Sequence, residues 1–590
     1  MTITTRPELV GDLGMVASTN WLASAAGMSI LERGGNAFDA GVAAGLLLQV
    51  VAPQTNGPGG EASIILFSVA EDRVRVVNGQ GRAPRRATIE HFSKNLDLSL
   101  VPGTGLLSAC VPGAFDAWMT VLADYGSLRL RDVLEPAISY AAAGIPVGEQ
   151  LRRTITRVEP LFREHWRTSA ELYLANGVPR VGSRLRNPAL AATYRRIVEE
   201  AEASTRAREE QIQIARALFY RGPVAEAIDT FVAGHELIDS SGQRHRGLLD
   251  ADDLAVHTTD LEDSVTYDYC GYRVHKTGPW GQGPVFLQQL ALLEDSDLPS
   301  LRFNSPEYLH LVIEASKLAF ADREAWYGDP AFVDVPLETL LSSDYNAERR
   351  RLIGEEASFE LRPGIVGGRM PNLPEGSDGH QVPGAGEPTV DSAHDGDTCH
   401  VDVVDAAGNL FSATPSGGWL QSSPVIPELG FGLGTRAQAF WLEHGHPNAL
   451  EPGKRPRTTL TPSLAIRDDG SPSLAFGTPG GDYQDQWSLA FFLGYVHYDL
   501  GLQAVVDAPS FHSDHVASSF YPRRARPGSI TVEPEMGKAT IDELRRRGHE
   551  IDVAEPWSLG RITAVSQDSR SGWLRAVADP RGMASYAVGR

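Results

Sequence analysis

The stretch from Pro363 to Gly396 constrains this chain more than any other. It holds eight glycines and five prolines among 34 residues, with few large apolar side chains. Such a segment cannot bury enough surface to fold by itself, and on composition alone it reads as a surface linker. The residues immediately after it change that reading. Asp397-Thr398-Cys399-His400 opens at once into Val401-Asp402-Val403-Val404-Asp405, a strand, then a turn at Ala407-Gly408-Asn409 and a second strand from Leu410 to Ala413. This is a hairpin pattern with Thr398 at its entrance. A flexible segment running straight to a hydroxyl residue on the edge of a sheet is what a self-cleaving enzyme requires.

The rest of the chain supplies material for a large folded body. With 590 residues, 42% hydrophobic and 22% charged, it is neither disordered throughout nor fibrous. Acidic residues outnumber basic ones by 75 to 53, a net charge of -22 that repels nucleic acid and anionic membranes, so neither is an expected partner. Cys110, Cys270 and Cys399 show neither metal-ligand spacing nor a disulfide framework. The longest nearly apolar stretch, Ala40 to Ala52, falls short of the ~18 residues of a membrane span. Met1 to Gly14 lacks the basic and apolar regions of a signal peptide, so a reducing, cytoplasmic setting is expected. The absence of an internal repeat argues against solenoids and propellers.

Local signals place the first elements. Ser18 to Asn20 offers caps ahead of Trp21, Gly34-Gly35 stops that helix, and Asn36 caps a second one running toward Pro53. Ala40, Gly41, Ala43, Ala44 and Gly45 in that helix predict close packing against a sheet. After the glycine turn Gly57-Pro58-Gly59-Gly60, Ile64 to Phe67 and Val74 to Val77 read as strands. Val111 to Leu122, Leu130 to Ala143 and Pro306 to Trp326 are helical by apolar spacing.

These landmarks also carry a likeness. Met15-Val16-Ala17-Ser18, Gly34-Gly35-Asn36-Ala37-Phe38-Asp39-Ala40, Gly57-Pro58-Gly59-Gly60 and Val111-Pro112-Gly113 come first. The stretch His310 to Arg323 with Gly328-Asp329-Pro330 comes next, then Thr398-Cys399-His400, Gly408-Asn409, Arg455-Pro456, Pro479-Gly480-Gly481, Ala508-Pro509 and Asp579-Pro580-Arg581. In that order they resemble the γ-glutamyltransferase family of N-terminal nucleophile hydrolases over nearly the whole chain. The resemblance implies an α+β fold, a four-layer αββα sandwich, made as a precursor and cut between Asp397 and Thr398. A large fragment of 1–397 and a small one of 398–590 would then stay together as one intertwined domain. The cut frees the α-amino group of Thr398, whose pKa near ~8 suits it as the base for its own hydroxyl. No metal or organic cofactor is implied, the partner is a small-molecule amide, and homo-oligomers remain open.

The same likeness implies further roles. The N–H groups of Gly480 and Gly481 form the oxyanion hole. Ser416 stands where the family has a threonine that orients the nucleophile, and Thr458-Thr459 replace two serines lining the acyl pocket. Cys399, one residue along the strand from Thr398, points to the opposite face and is expected to pack. The substrate pocket departs from the pattern. An arginine that holds the α-carboxylate is replaced by Gln80, with Arg82 two residues later on the same loop. The aspartate that holds the α-amino group is Ala439, an asparagine contact is Gly418, and a polar position has become Arg436. Arg436 and Arg82 therefore either meet a carboxylated acyl group or pair with acidic neighbours of the protein. The expected activity is amide hydrolysis or acyl transfer through an acyl-enzyme ester, with an acyl group that is carboxylated but not γ-glutamyl. The alternatives are a true γ-glutamyltransferase acting on glutathione, a tailoring hydrolase of an antibiotic pathway, and an uncleaved binding protein.

Overall fold

The computed structural model describes residues 4–374 and 398–590, apart from 468, 470, 471, 499 and 569. The expected junction at Asp397 and most of the Gly/Pro-rich run lie outside the described residues. Two seven-stranded antiparallel sheets form the centre. One runs Tyr586–Gly589, Gly14–Ser18, Val401–Asp405, Leu410–Ser416, Glu61–Ser68, Arg73–Gly79, Asp260–Glu262. The other runs Leu9–Gly11, Leu574–Ala578, Thr563–Gln567, Pro472–Gly477, Ser463–Arg467, Tyr272–Lys276, Val265–Tyr269.

Three apolar layers hold these sheets in a helix–sheet–sheet–helix sandwich. Helices Trp21–Glu32, Ala37–Val51, Ala114–Asp124 and Leu130–Ala143 pack on the outer face of the first sheet around Val401, Val403 and Phe411. Gly283–Leu293, Pro306–Trp326 and Gln484–His497 cover the second sheet around Val274, Leu474 and Phe476. Between the sheets, Met15, Ile65, Val76, Leu410, Leu464 and Val565 close the middle layer. Among the described residues no helix is long and apolar enough to cross a membrane.

The sequence signals explain these elements. Asn20 accepts from the Leu22 N–H at 3.0 Å, and Asn36 with Asp39 forms a reciprocal capping box. Gly41 meets the Phe411 ring of the sheet, as the small-residue run predicts, while Gly45 seats Trp118 of a neighbouring helix instead. One helix starts later than its apolar spacing suggests, at Ala114 rather than Val111. The Val111 N–H is spent on the Arg82 carbonyl at 3.0 Å and the Gly113 N–H on the Gly60 carbonyl at 3.0 Å. Val111-Pro112-Gly113 is therefore a strap that ties two loops together.

Candidate active site

Thr398 is buried and is the first described residue ahead of strand Val401–Asp405. Side chains alternate along it. Thr398, His400, Asp402 and Val404 share the face toward the second sheet, while Cys399, Val401 and Val403 join the apolar layer under the helices. Cys399 Sγ lies 3.2 Å from Thr55 Oγ1, and burial pushes its thiol up to about 11. A thiol so placed is packing material rather than a nucleophile.

Register aligns the candidate residues in one row. Thr398 pairs with Ser416, and Ser416 pairs with Glu61. Ala62 pairs with Gly79, and Gln80 follows directly after that strand. Directly opposed side chains sit within reach of one another across such a ladder. Thr398 Oγ1 and Ser416 Oγ are 3.2 Å apart. The loop before Glu61 is glycine-rich for a steric reason. A Cβ at Gly57, Gly59 or Gly60 would stand 2.1 Å from the carbonyl oxygen of Gly418, Gly432 or Ser416.

Arg436 enters this row from the side. Its Nη2 donates to Ser416 Oγ at 3.1 Å, and its guanidinium forms a buried ion pair with Glu61. Trp419 and Phe520 flank it, with ring centroids 5.5 Å and 5.3 Å from the guanidinium carbon. Of the two expectations for the arginines, pairing within the protein is what the geometry gives. Arg82 likewise faces Asp260 at 3.6 Å and donates to the Gly453 carbonyl at 3.3 Å. Burial, then Arg455, lowers the Arg82 pKa while Asp260 and Asp329 work against that shift.

The diglycine lies beyond Phe520. Gly480 and Gly481 take φ values of 123° and 55°, conformations open to residues without a Cβ. A Cβ on Gly481 would stand 3.0 Å from the Phe520 ring, so the loop joins Thr398 through Phe520, Arg436 and Ser416. The pair opens into the turn Gly481–Tyr483 and helix Gln484–His497, whose start gathers backbone N–H donors suited to an anion. Gln282 Nε2 fixes the Gly481 carbonyl at 3.2 Å.

The remaining expected residues divide into committed and uncommitted groups. Thr458 Oγ1 accepts from the Leu460 N–H at 3.3 Å, so its hydroxyl is tied to its own loop. Thr459 Oγ1 is buried without a hydrogen-bond partner among the described residues, and so are Oε1 and Nε2 of Gln80. Ala439 is buried, and its carbonyl accepts from Asn448 Nδ2 at 2.5 Å. Gly418 leaves no room for an asparagine, because its Cβ would stand 2.8 Å from the Gly60 nitrogen. The expectations missed Glu61, whose signal was a carboxylate placed directly after the glycine turn and before an apolar strand. They also missed the network behind Thr398. His400 Nε2 meets Asp402 Oδ1 at 2.9 Å, and Thr563 of the second sheet donates to Asp402 Oδ2 at 2.7 Å.

Elsewhere, His310, Glu314 and His549 gather ligand atoms within 4.8 Å. Lys317 at 2.7 Å and Arg362 at 3.1 Å already neutralise Glu314, so a further cation is disfavoured there.

The family model described as Gamma-glutamyltranspeptidase matches residues 23–589. The chain is 32% identical over 581 residues to the glutathione hydrolase-like YwrD proenzyme of Bacillus subtilis (strain 168), covering 98% of each. It is similar to the solved protein named LmbA2991HD, at 53% identity and TM-score 0.95 over 100% of both chains. A solved cephalosporin acylase from Bacillus halodurans is 28% identical with TM-score 0.82, covering 100% of this chain and 97% of that one.

Proposed function

Because this chain belongs to the gamma-glutamyltranspeptidase family, we propose that it is a self-processing amidohydrolase whose nucleophile is Thr398, acting on amides of a carboxylated acyl group other than γ-glutamyl. The observation that carries this reading is the buried Thr398–Ser416 hydroxyl pair on the face between the sheets, at the start of the central strand. The proenzyme relative supports the self-processing step; the proposed cut lies between Asp397 and Thr398 and would give fragments of 1–397 and 398–590.

In the cut enzyme the α-amino group of Thr398 accepts the Oγ1 proton as Oγ1 bonds to the substrate carbonyl carbon. The carbonyl oxygen takes up negative charge against the N–H groups of Gly480 and Gly481. The C–N bond then breaks, the α-ammonium proton passes to the departing nitrogen, and an ester on Thr398 remains. Water repeats the sequence. It gives one proton to the amine, attacks the ester carbonyl, and the proton returns to Oγ1 as the carboxylic acid leaves. In the precursor the same Oγ1 attacks the carbonyl of residue 397.

Specificity rests on what the pocket lacks and what it leaves uncommitted. No carboxylate stands at Ala439 to hold an ammonium group, and Gly418 admits no side chain. The Gln80 amide and the Thr459 hydroxyl are buried donors without partners among the described residues, suited to an acyl carboxylate, with Arg82 on the same loop as Gln80. The relative named as a cephalosporin acylase supports an acyl group outside the γ-glutamyl class. The test compares purified wild type with Thr398→Ala. Wild type runs as two fragments and hydrolyses glutaryl-p-nitroanilide; the variant stays at full length and is inactive. A cut variant that retains activity refutes the reading.

A further inference from the structure

Two buried side chains with no part in the proposed chemistry hold the diglycine loop, Gln282 and Arg323. Gln282 Nε2 donates to the Gly481 carbonyl at 3.2 Å, and Gln282 Oε1 accepts from Arg323 Nη1 at 2.8 Å. The same Nη1 donates to Asp482 Oδ1, so one nitrogen ties both Gln282 and the residue after Gly481. A primary amide has a distinct donor end and acceptor end. A guanidinium carries donors only and a carbonyl oxygen only accepts, so these two contacts allow a single orientation of the Gln282 amide.

The effect on the loop follows from peptide geometry. Each trans peptide unit is planar, with its N–H and C=O pointing in opposite directions. The Gly480 carbonyl accepts from the Tyr483 N–H at 3.0 Å, which sets the plane that carries the Gly481 N–H. The Gly481 carbonyl, held by Gln282, sets the next plane. Gly481 has a φ of 55° and no Cβ to restrict it, so without both ties the planes on either side of it would turn more freely.

We propose that Gln282, aimed by Arg323, is a positioning residue that fixes the peptide planes at Gly481 and so the direction of the oxyanion donors. The inference rests on the proposed role of Gly480 and Gly481 as those donors. Donors aimed before charge develops need no reorganisation as the carbonyl oxygen becomes an oxyanion. The surroundings suit such a support. Gln282 stands just before helix Gly283–Leu293, and its carbonyl accepts from the Val285 N–H at 2.9 Å. The neighbouring Trp280 carbonyl accepts from the Thr458 N–H at 2.9 Å, which stitches this loop to the stretch that carries Thr459. The N–H and hydroxyl of Ser519 donate to the Asp482 carboxylate at 2.8 Å and 2.7 Å, one residue before the Phe520 ring that faces Gly481.

The experiment separates positioning from a structural tie. Arg323→Met would strand Asp482 and Glu324 and endanger the fold, so the test rests first on Gln282. Gln282→Glu keeps the size and the contact to Arg323 but presents an oxygen, not a donor, to the Gly481 carbonyl. Gln282→Met removes both contacts. Each is assayed for kcat and KM on glutaryl-p-nitroanilide and butyryl-p-nitroanilide, and for binding of 4-boronobutanoic acid, whose boron accepts Thr398 Oγ1 to form a tetrahedral adduct. Both variants should lose kcat about 30-fold on both substrates and bind the boronate more weakly by a similar factor, with KM within about threefold. Arg323→Lys tests the aiming, because it keeps a cation without the guanidinium fork. Its loss of kcat should shrink to about a third or less when Gln282 is already Met. Wild-type kcat in Gln282→Glu overturns the inference, and so does a loss confined to KM or an Arg323→Lys effect equal in both backgrounds. Wild type that is not cut at Thr398, or that does not bind the boronate, would refute the underlying reading instead, which keeps the two failures apart.

Discussion

Two buried arginine–glutamate pairs in this molecule end differently. Arg457 donates to Glu324 Oε2 at 2.6 Å and to the Arg323 carbonyl at 3.0 Å, while Trp441 Nε1 donates to Glu324 Oε1 at 2.8 Å. Glu324 also faces Arg323 Nη2 at 3.6 Å, and Arg323 runs on to Gln282 and to Asp482, the residue after Gly481. Arg436 and Glu61 run instead into Ser416 and then Thr398. Beside the first pair Arg323 Nε and Nη2 are buried without hydrogen-bond partners among the described residues, as is the Gln80 amide. One buried charge pair thus reaches the diglycine loop, and the other reaches the hydroxyl pair at Thr398.

The largest expected effect sharpens that contrast from the structural side. Glu324→Gln should cost about 3–5 kcal/mol of stability by stranding two arginines, read as a fall in Tm, with kcat of the folded enzyme within about twofold. A large loss of kcat at unchanged Tm would break the comparison. Burial alone would raise the Glu324 pKa, but Arg457 and Arg323 hold it at about 2 against an ordinary 4.5. A depressed carboxylate pKa stabilises the fold above the ordinary value. Wild type should therefore lose this contribution as pH falls from 4.5 toward 2, and Glu324→Gln should not.

Next comes discrimination at the acyl pocket. Losing two charged contacts at roughly 1.5–3 kcal/mol each cuts γ-glutamyl discrimination by a few hundred-fold or more, so glutaryl-p-nitroanilide is expected to show the higher kcat/KM of the two. A preference for γ-glutamyl would restore the glutathione-directed alternative. Gln80→Leu should raise KM for the glutaryl substrate about tenfold and leave the neutral butyryl substrate nearly unchanged. The smallest effect belongs to the strand's other face. Cys399→Ala should leave kcat within about twofold, with ~1 kcal/mol or less lost in stability. Loss of activity there would reverse the assignment of faces.

Much of the fold is legible in local sequence. Apolar spacing predicts the helices Leu130–Ala143 and Pro306–Trp326 at their observed bounds, and the side chains of Asn20 and Asn36 mark the starts of two more. The second sheet was harder to see. Strand Leu474 to Gly477 and its neighbours are buried on both faces, so they lack the polar alternation that betrays a strand. The site was legible only in its residue types. That Ser416 faces Glu61, and that Arg436 crosses 20 positions of sequence to reach Ser416, are facts of register and loop path. The spacing of charges along a chain does not contain them, which is why Arg436 could be placed near the site but not given its partner.

The central claim is that Thr398 becomes an N-terminal nucleophile. Intact-mass analysis of the purified protein, with peptide mapping after brief exposure to glutaryl-p-nitroanilide at low pH, tests it directly. The prediction is a small fragment beginning at Thr398, carrying one glutaryl group on that residue. A fragment that begins elsewhere, or an acyl group found on another residue, would contradict it.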